Sequence, residues 1–303
     1  MYDLVIVGGG PAGVGAAVYA ARKKLKTLLV TDGWGGQSVV SADIQNWIGT
    51  KSISGLDFAK NFEDHVRSYS SDVEVWDTDL VTKIDKKDNG FFLTTKSGKT
   101  LESKTILVTS GSRRRRLGIP GEDKFDGKGV AWCSTCDAPL FKDVEVAVVG
   151  GGNAGLETVL DLNPYAKKIY LLHRGSELKG DPLTQEKISK MEKVQIILNA
   201  QIQEIMGDNF VSGLKHNDKI LSVQGIFIEI GSVPNTEFLG GLANLNERKE
   251  IIVDHKTQQS SLEGIWAAGD VSDVLYKQNN ISVGDAVKAV LNIYNYLHKK
   301  DHI

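Results

Sequence analysis

Tyr2-Asp3-Leu4-Val5-Ile6-Val7-Gly8-Gly9-Gly10-Pro11-Ala12-Gly13 opens the chain. An apolar run over 2–7 reads as a buried strand, and it ends in glycine. AGVGAAVYAARKK (12–24) reads as an alanine-rich helix, and KTLLVT (26–31) as the next strand. Strand, glycine turn, helix and strand make one βαβ unit. The glycines have separate tasks there. Gly8 makes the tight turn, Gly10 removes a side chain so that backbone can approach a pyrophosphate, and Gly13 lets helix pack on strand. Pro11 and Ala12 open the helix, whose N-terminus faces the anion.

The same pattern returns once. VEVAVVGGG (144–152) is a strand entering a second fingerprint, Gly150-Gly151-Gly152-Asn153-Ala154-Gly155. A helix to about 163 and the strand KIYLLH (168–173) complete a second βαβ unit. A lone GxGxxG is weak evidence; a strand before it and a helix after it supply the required context, twice. The competing reading is a glycine-rich turn that only packs a helix on a sheet.

Between these units lie a loop-like span (33–56), a helix over 55–69, and VEVW, LVTKI, FFLTT and TILVT within 72–107. The last four runs alternate and read as antiparallel strands. Ser112-Arg113-Arg114-Arg115-Arg116-Leu117-Gly118 reads as a solvated linker into the second unit. A helix near 184–192, the runs VQIILNAQIQEI and GIFIEIG, and Gly231-Ser232-Val233-Pro234-Asn235 follow. From about 241 the chain returns to the first domain. IWAAGD (265–270) is a strand into a glycine-aspartate turn, and 282–299 is an amphipathic helix. The domains are expected at 1–112 with 241–303, and at 113–240.

The bulk properties exclude several classes. A net charge of −2 gives no basis for nucleic acid or an anionic membrane. No apolar run approaches the roughly 20 residues of a membrane span. Tyr2–Val7 reads as a buried strand and not a signal peptide, which points to a cytoplasmic protein. Cys133 and Cys136 are the only cysteines in 303 residues. Two are too few for a secreted disulfide framework.

Cys133-Ser134-Thr135-Cys136-Asp137 is open to three readings. Zinc needs about four ligands, and the chain has one CxxC with six scattered histidines. Two buried structural cysteines are possible. A redox disulfide explains the spacing best, because CxxC brings two sulfurs to bridging distance and lowers one thiol's pKa. Asp137, next in sequence, can move a proton to or from a forming thiolate; the alternative is a turn aspartate.

The second strand of each unit ends differently. Thr31 is followed by Asp32, which can accept from a ribose hydroxyl or simply sit in a turn. His173 is followed by Arg174, with Lys179 six residues on. Cations there suit a 2′-phosphate better than an unphosphorylated ribose.

At these residues the chain resembles low-molecular-weight thioredoxin reductases. It is equally similar to the flavoprotein portion of alkyl hydroperoxide reductase. The resemblance runs in order through GGGPAG, Gly35-Gly36-Gln37, Asn46-Trp47, Gly118-Ile119-Pro120-Gly121-Glu122, CSTCDAPLF, GGGNAG, Ala268-Gly269-Asp270 and Lys277-Gln278. It implies two three-layer ββα Rossmann-like domains, an NAD(P)H domain inserted in an FAD domain, and a homodimer. By the same resemblance Gln37, Asn46, Gly269, Asp270, Lys277 and Gln278 belong to the FAD site. Cys136 would face the flavin, Cys133 would attack the disulfide of a thioredoxin-like partner, and Asp137 matches the family acid. The pattern departs from the family at Gly175, where NADPH-dependent members carry a second arginine, and at Lys277, where arginine is usual. Three alternatives follow: a reductase serving a peroxiredoxin system, an electron donor other than NADPH, or a flavin-bound sensor without turnover.

Overall fold

The computed structural model describes residues 1–41 and 43–299. The chain divides into two compact units. The first holds Met1–Ser41, Trp47–Arg113 and Val233–Ile303; the second holds Arg114–Ser232 with a short stretch ending at Asn46.

In the first unit β1 (Tyr2–Gly9), α1 (Pro11–Arg22) and β2 (Thr27–Trp34) form the expected βαβ unit. Helix α2 (Gly55–Arg67) follows, its N-cap Ser54 accepting from Asp57 N at 3.1 Å. Then come β3 (Val73–Trp76), β4 (Val81–Lys87), β5 (Gly90–Thr95), β6 (Thr100–Val108) and β7 (Ser112–Arg114). The expectation of four antiparallel strands is corrected at both ends. Strand β3 pairs parallel with β2, because α2 carries the chain over as a crossover. Strand β6 has two kinds of neighbour: Thr100–Ser103 runs antiparallel to β5, and Thr105–Val108 runs parallel to β1.

The second unit opens with β8 (Val130–Ala131) and the single-turn helix α3 (Ser134–Asp137). It continues with β9 (Glu145–Val149), α4 (Asn153–Leu162), β10 (Lys168–Leu172), α5 (Pro182–Ser189) and β11 (Val194–Ile197). An antiparallel sheet follows, made of β12 (Ile202–Gly207), β13 (Val211–His216) and β14 (Lys219–Ser222). Strand β15 (Gly225–Ile228) then returns to the parallel sheet, whose order is β11-β10-β9-β15-β8. Alternation on β15 separates two cores. Ile226 and Ile228 face the antiparallel sheet with Leu214 and Val223, whereas Phe227 joins Leu156, Val159 and Leu162 of α4. These are the ββα layers.

Strand β16 (Ser232–Pro234) pairs with β7. The first unit therefore resumes at Val233 and not at 241, because Asn235 and Glu237 already bond to Arg113 of that unit. Strand β17 (Ile265–Ala267) adds parallel to β6, and α6 (Asn279–Lys299) packs on α1.

Candidate functional site

The first cradle is built from close backbone approaches. Gly8 has φ +114°, and a Cβ there would lie 2.5 Å from the carbonyl oxygen of Thr109. A Cβ on Gly13 would lie 1.8 Å from the Gly8 carbonyl oxygen, so only glycine lets α1 sit this close to β1. Gly10 is the N-cap of α1 and supplies no side-chain acceptor, and no acidic residue occupies the first turn. The first N–H groups of α1 thus lack a local capping side chain, and their partial positive charge suits an anion. A Cβ on Gly10 would find its nearest neighbour 3.9 Å away.

Around that cradle the structure gathers several residues expected from the sequence. Asp32 is exposed near the end of β2. Gln37 Nε2 donates to Asp270 Oδ2 (3.4 Å) and Ser112 Oγ (3.2 Å). Asp270 follows Gly269, whose φ of +77° turns the chain out of β17. Lys277 has a supporting position. Its Nζ donates to the carbonyl oxygens of Ser272 (2.6 Å) and Asp270 (3.3 Å) and pairs with Glu250 at 2.9 Å. Three partners occupy the three ammonium donors, so Lys277 pins the Asp270 turn from behind. The Gln278 carbonyl accepts from Ser282 N as α6 begins.

The second cradle repeats the first in the second unit. Gly150 has φ +138°, and its Cβ would lie 2.1 Å from the Glu229 carbonyl oxygen. A Cβ on Gly155 would lie 1.9 Å from the Gly150 carbonyl oxygen. Gly152 caps α4 without a side-chain acceptor, and a Cβ there would meet nothing within 4 Å. Asn153 Oδ1 accepts from Asp181 N (2.7 Å), which ties the loop after β10 to the helix start that Asn153 and Ala154 open. His173 is buried beneath the loop, since a Cβ on Gly151 would strike its ring. Its Nε2 has no hydrogen-bond partner among the described residues. Burial and the neighbouring Lys179 and Arg174 push its pKa down, so the ring is neutral at pH 7. Arg174 and Lys179 themselves are exposed, with no ion pair among the described residues.

Cys133 and Cys136 form a disulfide across α3, with Cα atoms 5.3 Å apart. Cys133 is the N-cap, and its carbonyl accepts from Cys136 N (3.2 Å) and Asp137 N (2.9 Å). Asn46 Nδ2 donates to Cys136 Sγ at 3.7 Å. Burial pushes the Asp137 carboxyl up to about 6, against the opposing pull of Arg114. A carboxyl at that value carries a proton part of the time near neutrality.

The arginine run differs from a solvated linker. Arg113 donates to Asn235 Oδ1 (2.8 Å) and Glu237 Oε1 (2.5 Å). Arg116 pairs with Asp126 (2.9 Å) and Asp123 (3.1 Å) and lies over the Trp132 ring. Trp132 Nε1 in turn donates to Asp126 Oδ1 (2.8 Å), which braces the chain directly before Cys133. The buried Glu122 carboxylate accepts from Leu117 N and Gly118 N and holds the following turn. Each contact has its own acceptor; a count of arginines could not reveal them.

Sequence reasoning also missed a polar network under α3. Ser134, between the cysteines, donates to Asp161 Oδ2 (2.7 Å) and accepts from Thr158 Oγ1 (3.2 Å). Thr158 is hydrogen-bonded to the Glu229 carboxyl, which burial pushes up to about 7. One signal was available: a glutamate inside the apolar run GIFIEIG, on the face that alternation assigns to Phe227.

Two glycine-lined helix starts and a CxxC disulfide lie in one chain, a combination suited to coupling dinucleotides to a disulfide. The chain belongs to the pyridine nucleotide-disulphide oxidoreductase family, whose profile matches residues 2–289. An alkyl hydroperoxide reductase component of Staphylococcus epidermidis is 40% identical over 302 residues, 98% of this chain and 59% of that protein. An NADH dehydrogenase of Bacillus subtilis is 40% identical over 98% of this chain and 58% of its own length. The chain thus spans about three fifths of these relatives. Among solved structures, thioredoxin reductase from Streptococcus pyogenes aligns over 99% of both chains, with TM-score 0.91 and 31% identity. FAD and NAD(P)H are the cofactors this family membership implies. The two cradles fit them, because each offers an uncapped helix start behind glycines whose Cβ atoms would collide with backbone.

Proposed function

We propose that this chain is a flavin-dependent disulfide reductase that takes electrons from NAD(P)H and delivers them to the disulfide of a thioredoxin-like protein. The Cys133–Cys136 disulfide carries the reading, because it sits in a chain with two dinucleotide cradles. When bound, FAD and the nicotinamide supply hydride and two-electron chemistry that no side chain offers.

The chain's own residues have these roles. Gly8, Gly10 and Gly13 with the start of α1 hold the FAD pyrophosphate, and Gln37, Asp270 and the Lys277-braced turn flank it. Asp32 accepts from ribose, and Gln278 and Asn46 belong to the same site. Gly150, Gly152 and Gly155 with the start of α4 hold the NAD(P)H pyrophosphate. Arg174 and Lys179 face a 2′-phosphate, with His173 as the packed floor of the loop. The first unit is the FAD domain and the second, inserted in it, the NAD(P)H domain. In the dithiol state the Cys133 thiolate attacks the partner disulfide, and Cys136 resolves the mixed disulfide. Asp137 gives and takes the proton at sulfur. The reading includes a homodimer in the cytoplasm, a compartment that keeps thiols reduced. No helix among the described residues is long and apolar enough to cross a membrane.

Anaerobic mixing with NADPH and with NADH tests the donor. The flavin bleaches with one or both, and a flavin that neither coenzyme bleaches would overturn the nicotinamide assignment. Cys133→Ser should abolish reduction of the partner disulfide while sparing nicotinamide oxidation by an artificial acceptor. A second reading, service to a peroxiredoxin system, is favoured by the 40% identity to the alkyl hydroperoxide reductase component. Coupled assays with each candidate partner separate the two.

A further inference from the structure

A single helical turn is a poor structure on its own, because it fixes several dihedrals for one or two hydrogen bonds. In α3 the Cys133 carbonyl accepts from Cys136 N (3.2 Å) and Asp137 N (2.9 Å). The Cys133–Cys136 bond adds a covalent clamp, and reduction removes it. The tether at Ser134 does not depend on that bond. Ser134 is buried within the turn, whereas Thr135 beside it is exposed. Ser134 Oγ donates to Asp161 Oδ2 (2.7 Å) and accepts from Thr158 Oγ1 (3.2 Å). Thr158 and Asp161 lie three residues apart on α4, so they share one face of that helix. The helix is itself anchored: Leu156, Val159 and Leu162 are buried in one core with Ala138, which follows α3. A side chain between the two cysteines is thus fastened to a packed helix.

We propose that Asp161 is a positioning residue for the dithiol, acting through Ser134 to keep Cys133 and Cys136 at bridging distance after reduction. Reduction breaks the S–S bond and adds two electrons and two protons, giving two thiols. Reoxidation re-forms the bond, and its equilibrium favours sulfurs that are already held close. A tethered turn therefore makes the disulfide harder to reduce, and a loosened turn makes it easier. The same tether keeps Cys136 next to Cys133 in a mixed disulfide. There the Cys136 thiolate bonds to Cys133 Sγ, and the partner's sulfur leaves as a thiolate with the electron pair. The proposal rests on the redox reading of Cys133–Cys136. It needs no nucleotide and no particular partner protein, so its test stays readable if either of those assignments fails.

The test equilibrates the full-length protein with glutathione, anaerobically and at neutral pH. Two glutathione thiols reduce the disulfide and become glutathione disulfide. The equilibrium constant for closing the protein disulfide then has units of concentration, and it reads how close the two sulfurs are held. Acid quenching, alkylation and mass spectrometry count the free thiols. Asp161→Ala should lower that constant ~10-fold, about 30 mV toward easier reduction, the size of one hydrogen bond to a charged acceptor. Ser134→Ala, a smaller change, should match it. Asp161→Asn keeps an acceptor for Ser134 and should stay within ~3-fold of wild type. In a Ser134→Ala background, Asp161→Ala should change nothing further. An unchanged constant in both alanine variants, or additive effects in the double variant, would overturn the proposal. So would an Asp161→Asn effect as large as that of Asp161→Ala, which would assign the effect to charge. A wild-type disulfide that does not exchange with glutathione would overturn the redox reading itself, and the positioning role with it.

Discussion

The two glycine cradles are near copies in backbone and opposites in charge. Gly8 and Gly150 take the same left-handed turn, and Gly13 and Gly155 press equally hard on the carbonyls of Gly8 and Gly150. The units diverge where the second strand ends. In the first, Thr31 turns its hydroxyl to the Gly33 carbonyl at 2.6 Å and leaves Asp32 exposed. In the second, a buried neutral imidazole fills the space under Gly151 and leaves two cations, Arg174 and Lys179, at the surface. On the proposed function, phosphate binding would belong to the helix starts and glycines that both units share, and nucleotide choice to the few charges that they do not.

The largest test of the shared part is a methyl group at each cradle. Gly13→Ala and Gly155→Ala each force a Cβ into a carbonyl oxygen, an overpacking that costs about 1–3 kcal/mol and displaces the helix start. Gly13→Ala should yield protein that purifies without yellow colour. Gly155→Ala should stay yellow yet lose ~100-fold or more in flavin reduction by the nicotinamide donor, through lost positioning. Equal loss of flavin from both variants would break the division of labour between the cradles.

The next test addresses the part that differs. Arg174→Ala with Lys179→Ala should raise KM for NADPH by ~10–100-fold through two lost phosphate contacts, and leave KM for NADH nearly unchanged. Flavin content should not move. Steady-state kinetics with both coenzymes measure it; equal effects on the two would remove the 2′-phosphate assignment.

Lys277→Met probes support rather than contact. Losing three donors behind the Asp270 turn should speed FAD release ~10-fold in a dilution assay, with no change in nicotinamide affinity.

The smallest effect is a pH dependence confined to the second unit. The Asp137 pKa rises on folding from 3.8 to about 6. The folded state therefore binds more protons than the unfolded state between those values, and stability falls as pH rises through that window. Asp137→Asn should gain about 1–2 kcal/mol over wild type at about pH 8 and nothing at about pH 4, after allowance for partial exposure. Denaturant titrations at the two pH values measure it.

Much of the molecule was legible because its signals are local. A glycine fingerprint between an apolar strand and a helix states its own conformation, and CxxC states its own span. The strands of 72–107 were legible as strands but not as partners. The alternation in Val73-Glu74-Val75-Trp76 is the same whether it pairs parallel or antiparallel, and only the α2 crossover decides. The β13–β14 hairpin was overlooked, although Asn217-Asp218, both with positive φ, marks its turn.

Sequence alone determined the two βαβ units, their glycine turns and the span of the cysteine pair, since each is specified by residues close together along the chain. Only tertiary structure decided that Lys277 braces a turn, that His173 is a neutral floor, and that Asp161 reaches the CxxC turn through Ser134. Those roles depend on burial and on hydrogen-bond direction between residues far apart along the chain. Neither quantity exists until the layers have packed.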